Sequence, residues 1–358
     1  MNKIDNNTAQ QIKTERLLNF YKNYEKVVAP YIEEYEKERI KELCKLTILP
    51  TIIILALAVY QLNILLLIII YGGLFIFWNF RNIYLSVNKN FQNLVKKDLL
   101  PKILENIEGI SWCSGKNIIS NEIIRKSRLF TSYNSKINDD EFEGEYKGVR
   151  FKVAETRLTN ESNENRSIQY IFNGIIILVD SNKEVKAHTK IQPKMDIKME
   201  IILIFMLIFI LILLGYFLYY TISSENYISS LIVLFLIIHC FSILFSKQNN
   251  IMTLEDSEFD KKFNVTTDDQ VEGRYLITPA FMDRFKNLQT AFKTKNIECA
   301  FFDDKIMFAL HTNKDFFELS GGLFHSLKDP KQIESFYNEI TAIYDIIDYF
   351  KLAEKTGL

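Results

Sequence analysis

Proline and glycine are scarce in this chain, 6 and 12 among 358 residues, which argues against a collagen-like or long unstructured tract. Cysteine is scarce as well: Cys44, Cys113, Cys240 and Cys299 are scattered and none forms a CxxC pair. That usage excludes the common zinc and disulfide frameworks and fits small buried hydrophobes in a reducing compartment. There is no surplus of positive charge, with Lys+Arg 43 against Asp+Glu 44 and a formal net charge of −1. A nucleic-acid partner is therefore not expected, because phosphate binding rests largely on Lys and Arg. No glycine-rich phosphate loop occurs, and no His–acid spacing of the metalloenzyme type, so neither a cofactor nor a metal is implied. The segment "SGGLF" (320–324) amounts to a turn. The opening "MNKIDNNTAQQIKTERLL" is polar and lacks the early apolar core of a cleavable signal.

What the chain does have is long apolar blocks. Residues 46–80 carry no charge, a run too long for one membrane span of about 20 residues. Gln61 and Asn63 offer a polar break, which predicts a hairpin with arms at 45–61 and 63–80. A second block, "IILIFMLIFILILLGYFLYYTI" (201–222) and "YISSLIVLFLIIHCFSILFS" (227–246), is interrupted only by "SSEN". Helices apolar all round for this length are rare in water, so four transmembrane spans are expected. The short loops between arms hold no Lys or Arg, whereas 1–45, 81–198 and 247–358 hold all 43. By the positive-inside rule those three segments face the cytoplasm. The expectation is a multi-pass protein of the inner membrane, with both termini cytoplasmic and the lipid bilayer as a partner.

The organisation that follows is a helical stem (1–44), a first hairpin (45–80), two halves of an α+β domain (81–198 and 247–358), and a second hairpin (199–246) inserted between them. Pro30 at a first-turn position starts the stem helix "PYIEEYEKERIKELCKL". Phe91, Leu94, Val95, Leu99, Ile103 and Ile107 follow helical spacing, with a kink or restart at Pro101 and a stop at Gly109. "EFEGEYKGVRFKVAETRL" alternates about a Lys-Gly turn and predicts a hairpin. "SIQYIFNGIIILVDSN" is apolar on both faces, as a buried strand would be. Further on, Phe259 and Phe263 suggest a short helix capped by Asp256 or Ser257, and Tyr275 and Ile277 alternate as a strand. Thr278-Pro279 and Asp329-Pro330 each combine a cap with proline at the first helical position. Phe281, Phe285, Leu288 and Phe292 give one apolar helix face. Ile333, Phe336, Tyr337, Ile340, Tyr344 and Ile347 give another. "IECAFFDDKIMFAL" reads as a hairpin turning at Asp303-Asp304.

The wording of "LEDSEFDKKFNVTTDDQVEGRYLITPAFM", with "SRLF", "DDEFEGEYKGVRFKVAETRL" and "IFNGIIIL" before it, resembles the bacterial family called domain of unknown function 3137. The resemblance covers most of 85–350. It implies a membrane hairpin carrying a cytoplasmic domain and brings no catalytic residue with it. The second apolar block is a departure from that pattern.

Asp268, Asp269 and Arg274 form the most suggestive polar set. An aspartate pair can bind a cation or serve as acid and base, but the same residues suit turn chemistry and an ion pair. The acidic run Asp139, Asp140, Glu141, Glu143 and Glu145 reads as a solvated strand entrance. His239, inside the last apolar stretch, is an intramembrane polar residue with no charged relay partner there. With no catalytic grouping evident, the sequence favours a binding or scaffold domain that recruits a protein or a small ligand. The alternative is an enzyme or transport component using the Asp268–Arg274 region or His239.

Overall fold

Two residues, Lys147 and Gly148, turn the hairpin of residues 135–162, and both have positive φ (50° and 80°). A two-residue loop of this type matches the twist of its flanking strands. In the computed structural model the described residues are 14–22, 24, 28–59, 65–105, 107, 109–113, 115–162, 167–194, 197–223, 231–238, 251–291, 294, 296–314, 316–318, 323–324, 326–350 and 352. They fall into two compact units. The first takes 1–121, 132–182 and 312–358, and the second takes 122–131 and 183–311.

The first unit holds β1 (Ile110–Trp112), β2 (Ser135–Tyr146), β3 (Val149–Ser162) and β4 (Ser167–Asp180). They pair antiparallel in that order, with Tyr146 opposite Val149 across the predicted turn. In β4 Phe172 and the run Ile175, Ile176, Ile177, Leu178 and Val179 are all buried, which is why that stretch is apolar on both faces. Helix α1 (Ala29–Val59) and helix α2 (Leu65–Leu104) precede the strands. On α2 the side chains of Phe91, Val95, Leu99, Leu100 and Ile103 are buried while Leu94 is exposed. Pro101 lies inside the helix near its end, and Gly109 has a φ of 80° just beyond it. The last helix of the unit runs Pro330–Tyr349, starting at the expected proline. Its expected apolar face is buried throughout: Ile333, Phe336, Tyr337, Ile340, Tyr344 and Ile347 are each 4% exposed or less. Side chains of this size contribute about 1.5–3 kcal/mol each when fully buried.

The second unit contains β5 (Thr189–Pro193), β6 (Ile251–Met252), β7 (Phe263–Thr267), β8 (Ile297–Phe302) and β9 (Lys305–His311). Antiparallel pairings place them in the order β9-β8-β5-β7-β6. Asp303 and Asp304 turn β8 into β9 with φ of 48° and 56°. Short helices α3 (Asn121–Lys126), α5 (Ser257–Lys262) and α6 (Gln270–Leu276) and the longer α7 (Pro279–Ala291) accompany this sheet. Between β5 and β6 lies α4 (Ile197–Ser223); the C-terminal helix is α8. On α7, Phe281, Met282, Phe285 and Leu288 are buried, and the Phe285 ring meets Phe263 edge-on at 5.1 Å. Phe292 lies outside the described residues. Tyr275 does not extend a strand. Asp269 accepts hydrogen bonds from the N–H groups of Val271 (2.7 Å) and Glu272 (3.2 Å), and this cap starts α6 instead.

The expectation of four transmembrane spans is corrected. Among the described residues no helix is long and apolar enough to cross a membrane. Helix α1 begins well before the predicted first arm, at Ala29, and α2 runs well past the predicted second arm, to Leu104. The side chains described on them include charged groups such as Glu36, Arg39, Lys96 and Asp98. The fold class of the described residues is α+β, built on antiparallel strands, and no membrane-spanning helix occurs among them. The multi-pass, inner-membrane placement with cytoplasmic termini rested on those spans and is corrected with them.

Candidate functional site

The three residues singled out in the sequence do not converge on a site. Asp269 is spent on the α6 cap. Asp268 pairs with Arg128 at 2.8 Å across an exposed surface, and its N–H donates to the His188 carbonyl at 2.9 Å. Arg274 is exposed in the last turn of α6, where a cation is favoured by the helix dipole. His239 lies outside the described residues.

Within the acidic run Asp139 and Glu145 are exposed and Glu143 is half-buried, but Asp140 and Glu141 are not solvated. Asp140 and Glu141 are each 1% exposed. The Lys96 ammonium lies 2.9 Å from Asp140 and 2.9 Å from Glu318, and the Trp112 indole donates to Asp140 at 3.2 Å. Burial would lower the Lys96 pKa, yet Asp140 and Glu318 together raise it above its ordinary value. Burial also pushes the Asp140 carboxyl up, with Lys96 opposing. Glu141 accepts the N–H groups of Asn117 and Ile118, both at 2.9 Å, and the Asn138 amide at 2.8 Å. A register shift in β2 between Asn138 and Glu141 turns these carboxylates inward. Every one of these contacts is internal to the fold of the first unit.

A different arrangement occurs on the sheet of the second unit. Alternation along the strands sends Ile191, Val265, Ile297, Cys299 and Leu310 into the core and their neighbours to the opposite face. There Lys190 and Gln192 of β5, Asn264 and Thr266 of β7, Glu298 of β8 and His311 of β9 meet Pro193, Lys194 and Asn296 around an open cleft of about 510 Å³. Glu298 is held from two sides. One oxygen lies 2.9 Å from His311 Nε2, and the other accepts the Gln192 amide at 2.8 Å. The Gln192 amide also donates to the Leu129 carbonyl at 3.1 Å. Lys190 donates to the Arg128 carbonyl at 3.4 Å, and Lys194 lies 3.4 Å from Asp260. The Thr266 hydroxyl is shielded from solvent and makes no hydrogen bond among the described residues.

The cleft's hydroxyl and its histidine do not stand side by side. The cleft's hydroxyl is on β7, while His311 is on β9 with β5 and β8 between them. Three strand spacings of about 4.8 Å put them roughly 14 Å apart. No group of His, Cys, Asp and Glu suited to a metal ion occurs among the described residues. The cleft escaped the sequence reading because "KIQPK" was not recognised as a strand, and β5 pairs with β7 and β8 only across the intervening apolar segment. The available signal was polar alternation in "KIQPK", "FNVTT" and "NIECAFF".

By architecture this is an α+β protein of antiparallel strands and helices. It belongs to the family described as protein of unknown function (DUF3137), whose model matches residues 170–352. That match spans β4 to β9 and every residue lining the cleft. No curated protein and no solved structure matches the chain.

Proposed function

We propose that this is a binding protein whose cleft on the second unit's sheet takes a small polar ligand. The observation that carries the reading is the Glu298 carboxylate, little exposed and held by Gln192 and His311 at the wall of an otherwise polar cleft. Each of its oxygens keeps acceptor capacity for a ligand O–H or N–H. Gln192, Asn264 and Asn296 add donors and acceptors around it. A small ligand suits this concave, polar lining better than a protein partner, whose interface core favours apolar and aromatic anchors. The enzyme reading at Asp268, Asp269 and Arg274 lacks comparable support, since the first two are already engaged in an ion pair and a helix cap.

The test is retention. The full chain is equilibrated with a cell extract, washed and heated, and the released molecules are identified by mass spectrometry beside a Glu298→Lys variant. A small polar molecule held by the wild type and lost by the variant is expected. Equal retention by both, or none by either, contradicts the reading.

A further inference from the structure

We propose that the ligand is a hydroxylated anion, a sugar or polyol bearing one phosphate or carboxylate. This deepens the binding reading above and rests on it. The cleft has two chemically distinct ends. At one, Lys190 is engaged only by a backbone carbonyl at 3.4 Å, with no carboxylate in ion-pair reach among the described residues. Lys194 stands four residues along, beyond Gln192, and is paired with Asp260 at 3.4 Å. The Lys190 ammonium is therefore the anion seat, with no carboxylate among the described residues to neutralise it.

At the other end stands the Glu298 carboxylate, only 12% exposed in its side chain. Each of its oxygens takes one bond from Gln192 or His311 and retains acceptor capacity for a ligand O–H. The carboxamides of Gln192, Asn264 and Asn296 and the Thr266 hydroxyl belong to the same lining. Such groups both donate and accept, as sugar hydroxyls do. Pro193 is the apolar member of the lining, so an aromatic cofactor or acyl chain finds little surface to bury.

The register sets the backbone spacing of the two ends. Ile191 faces Cys299, and the 2.8 Å bond places Gln192 against Glu298. Lys190 is therefore two residues along one strand and one strand across from Glu298, a Cα separation of roughly 8 Å. A five- or six-carbon polyol ending in an anion can place its charge at Lys190 and its hydroxyls at Glu298.

Calorimetry on the full chain with four probes tests this: glucose 6-phosphate, gluconate, neutral glucose and inorganic phosphate. At least one of the first two is expected to bind, and which one binds identifies the anion as phosphate or carboxylate. Glucose and inorganic phosphate should bind roughly tenfold more weakly or worse, since each offers half of the recognition. Lys190→Glu should weaken the sugar anion at least about tenfold with an unchanged Tm. Sugar-anion binding that is indifferent to Lys190→Glu overturns the site and the ligand class together, as does inorganic phosphate binding equally well. If neither sugar anion binds while another molecule is retained by the wild type and lost in Glu298→Lys, the ligand class falls and the binding reading stands. If nothing is retained, both fall.

Discussion

Glu141 and Glu298 are both strand carboxylates with little exposure, one in each unit, and their partners differ in kind. Glu141 receives two main-chain N–H groups and a side-chain amide from its own unit. Its acceptors are consumed in ordering the segment at 117–118 against β2. Glu298 is held by two side chains at the wall of an open cleft. A buried carboxylate tied to the main chain is an element of the fold. One braced by side chains beside open volume is positioned to meet something else. The same contrast separates Lys96, enclosed by Asp140 and Glu318, from Lys190, whose described contact is a carbonyl oxygen.

The contrast is broken most severely in the first unit. Asp140→Ala leaves the Lys96 charge buried with Glu318 as its remaining close partner. A loss of about 3–5 kcal/mol in denaturant unfolding is expected for such a broken pair. A loss below about 1 kcal/mol would mean that the cluster is not structural.

A smaller effect is expected at Glu36. Its carboxylate takes two bonds from Arg39 (2.8 and 3.0 Å), one from Ser326 (2.8 Å) and one from the Leu327 N–H (3.0 Å). Burial alone would raise its pKa, but these hydrogen bonds outweigh burial and hold it below the ordinary 4.5. A carboxyl depressed in the folded state contributes its stability above the unfolded value and loses it as pH falls through the folded one. Stability should therefore be flat with respect to this group above pH 4.5 and decline below it. Glu36→Gln should cost about 1.5–3 kcal/mol at neutral pH, as for hydrogen bonds to a charged group, and should flatten the acid limb measured by pH-dependent unfolding.

Asp269→Ala removes the α6 cap and should cost about 1 kcal/mol while leaving ligand retention unchanged. Lost retention would move the site back toward Asp268, Asp269 and Arg274. The smallest stability effect belongs to the cleft. Lys190→Ala should change unfolding free energy by no more than about 0.5 kcal/mol, read from the same denaturation curves, while it weakens binding.

Local chemistry was legible in the sequence. The turns at Lys147-Gly148 and Asp303-Asp304, the helix starts at Thr278-Pro279 and Asp329-Pro330, and the inward face of α8 all depend on neighbours within a turn or two. What was not legible depends on distant partners. The burial of Asp140 needs Lys96 from α2, 44 positions away, and a register shift that alternation alone does not announce. The cleft needs β5 beside β7 and β8, with α4 in between. Tyr275 misled because alternation over three residues is weak against a cap, and Asp269 supplied one. The apolar blocks misled in another way, since their composition says that they are apolar and not where their helices begin or end.

Lysine reactivity tests the contrast most directly. The full chain is acylated briefly with and without the retained ligand, or the sugar anion that binds, and each lysine's modification is read by mass spectrometry. Lys190 should react freely in the empty protein and be selectively protected by the ligand, while Lys96 stays unreactive in both. Protection spread evenly over surface lysines, or unchanged reactivity at Lys190 with ligand bound, would contradict the cleft as the binding site.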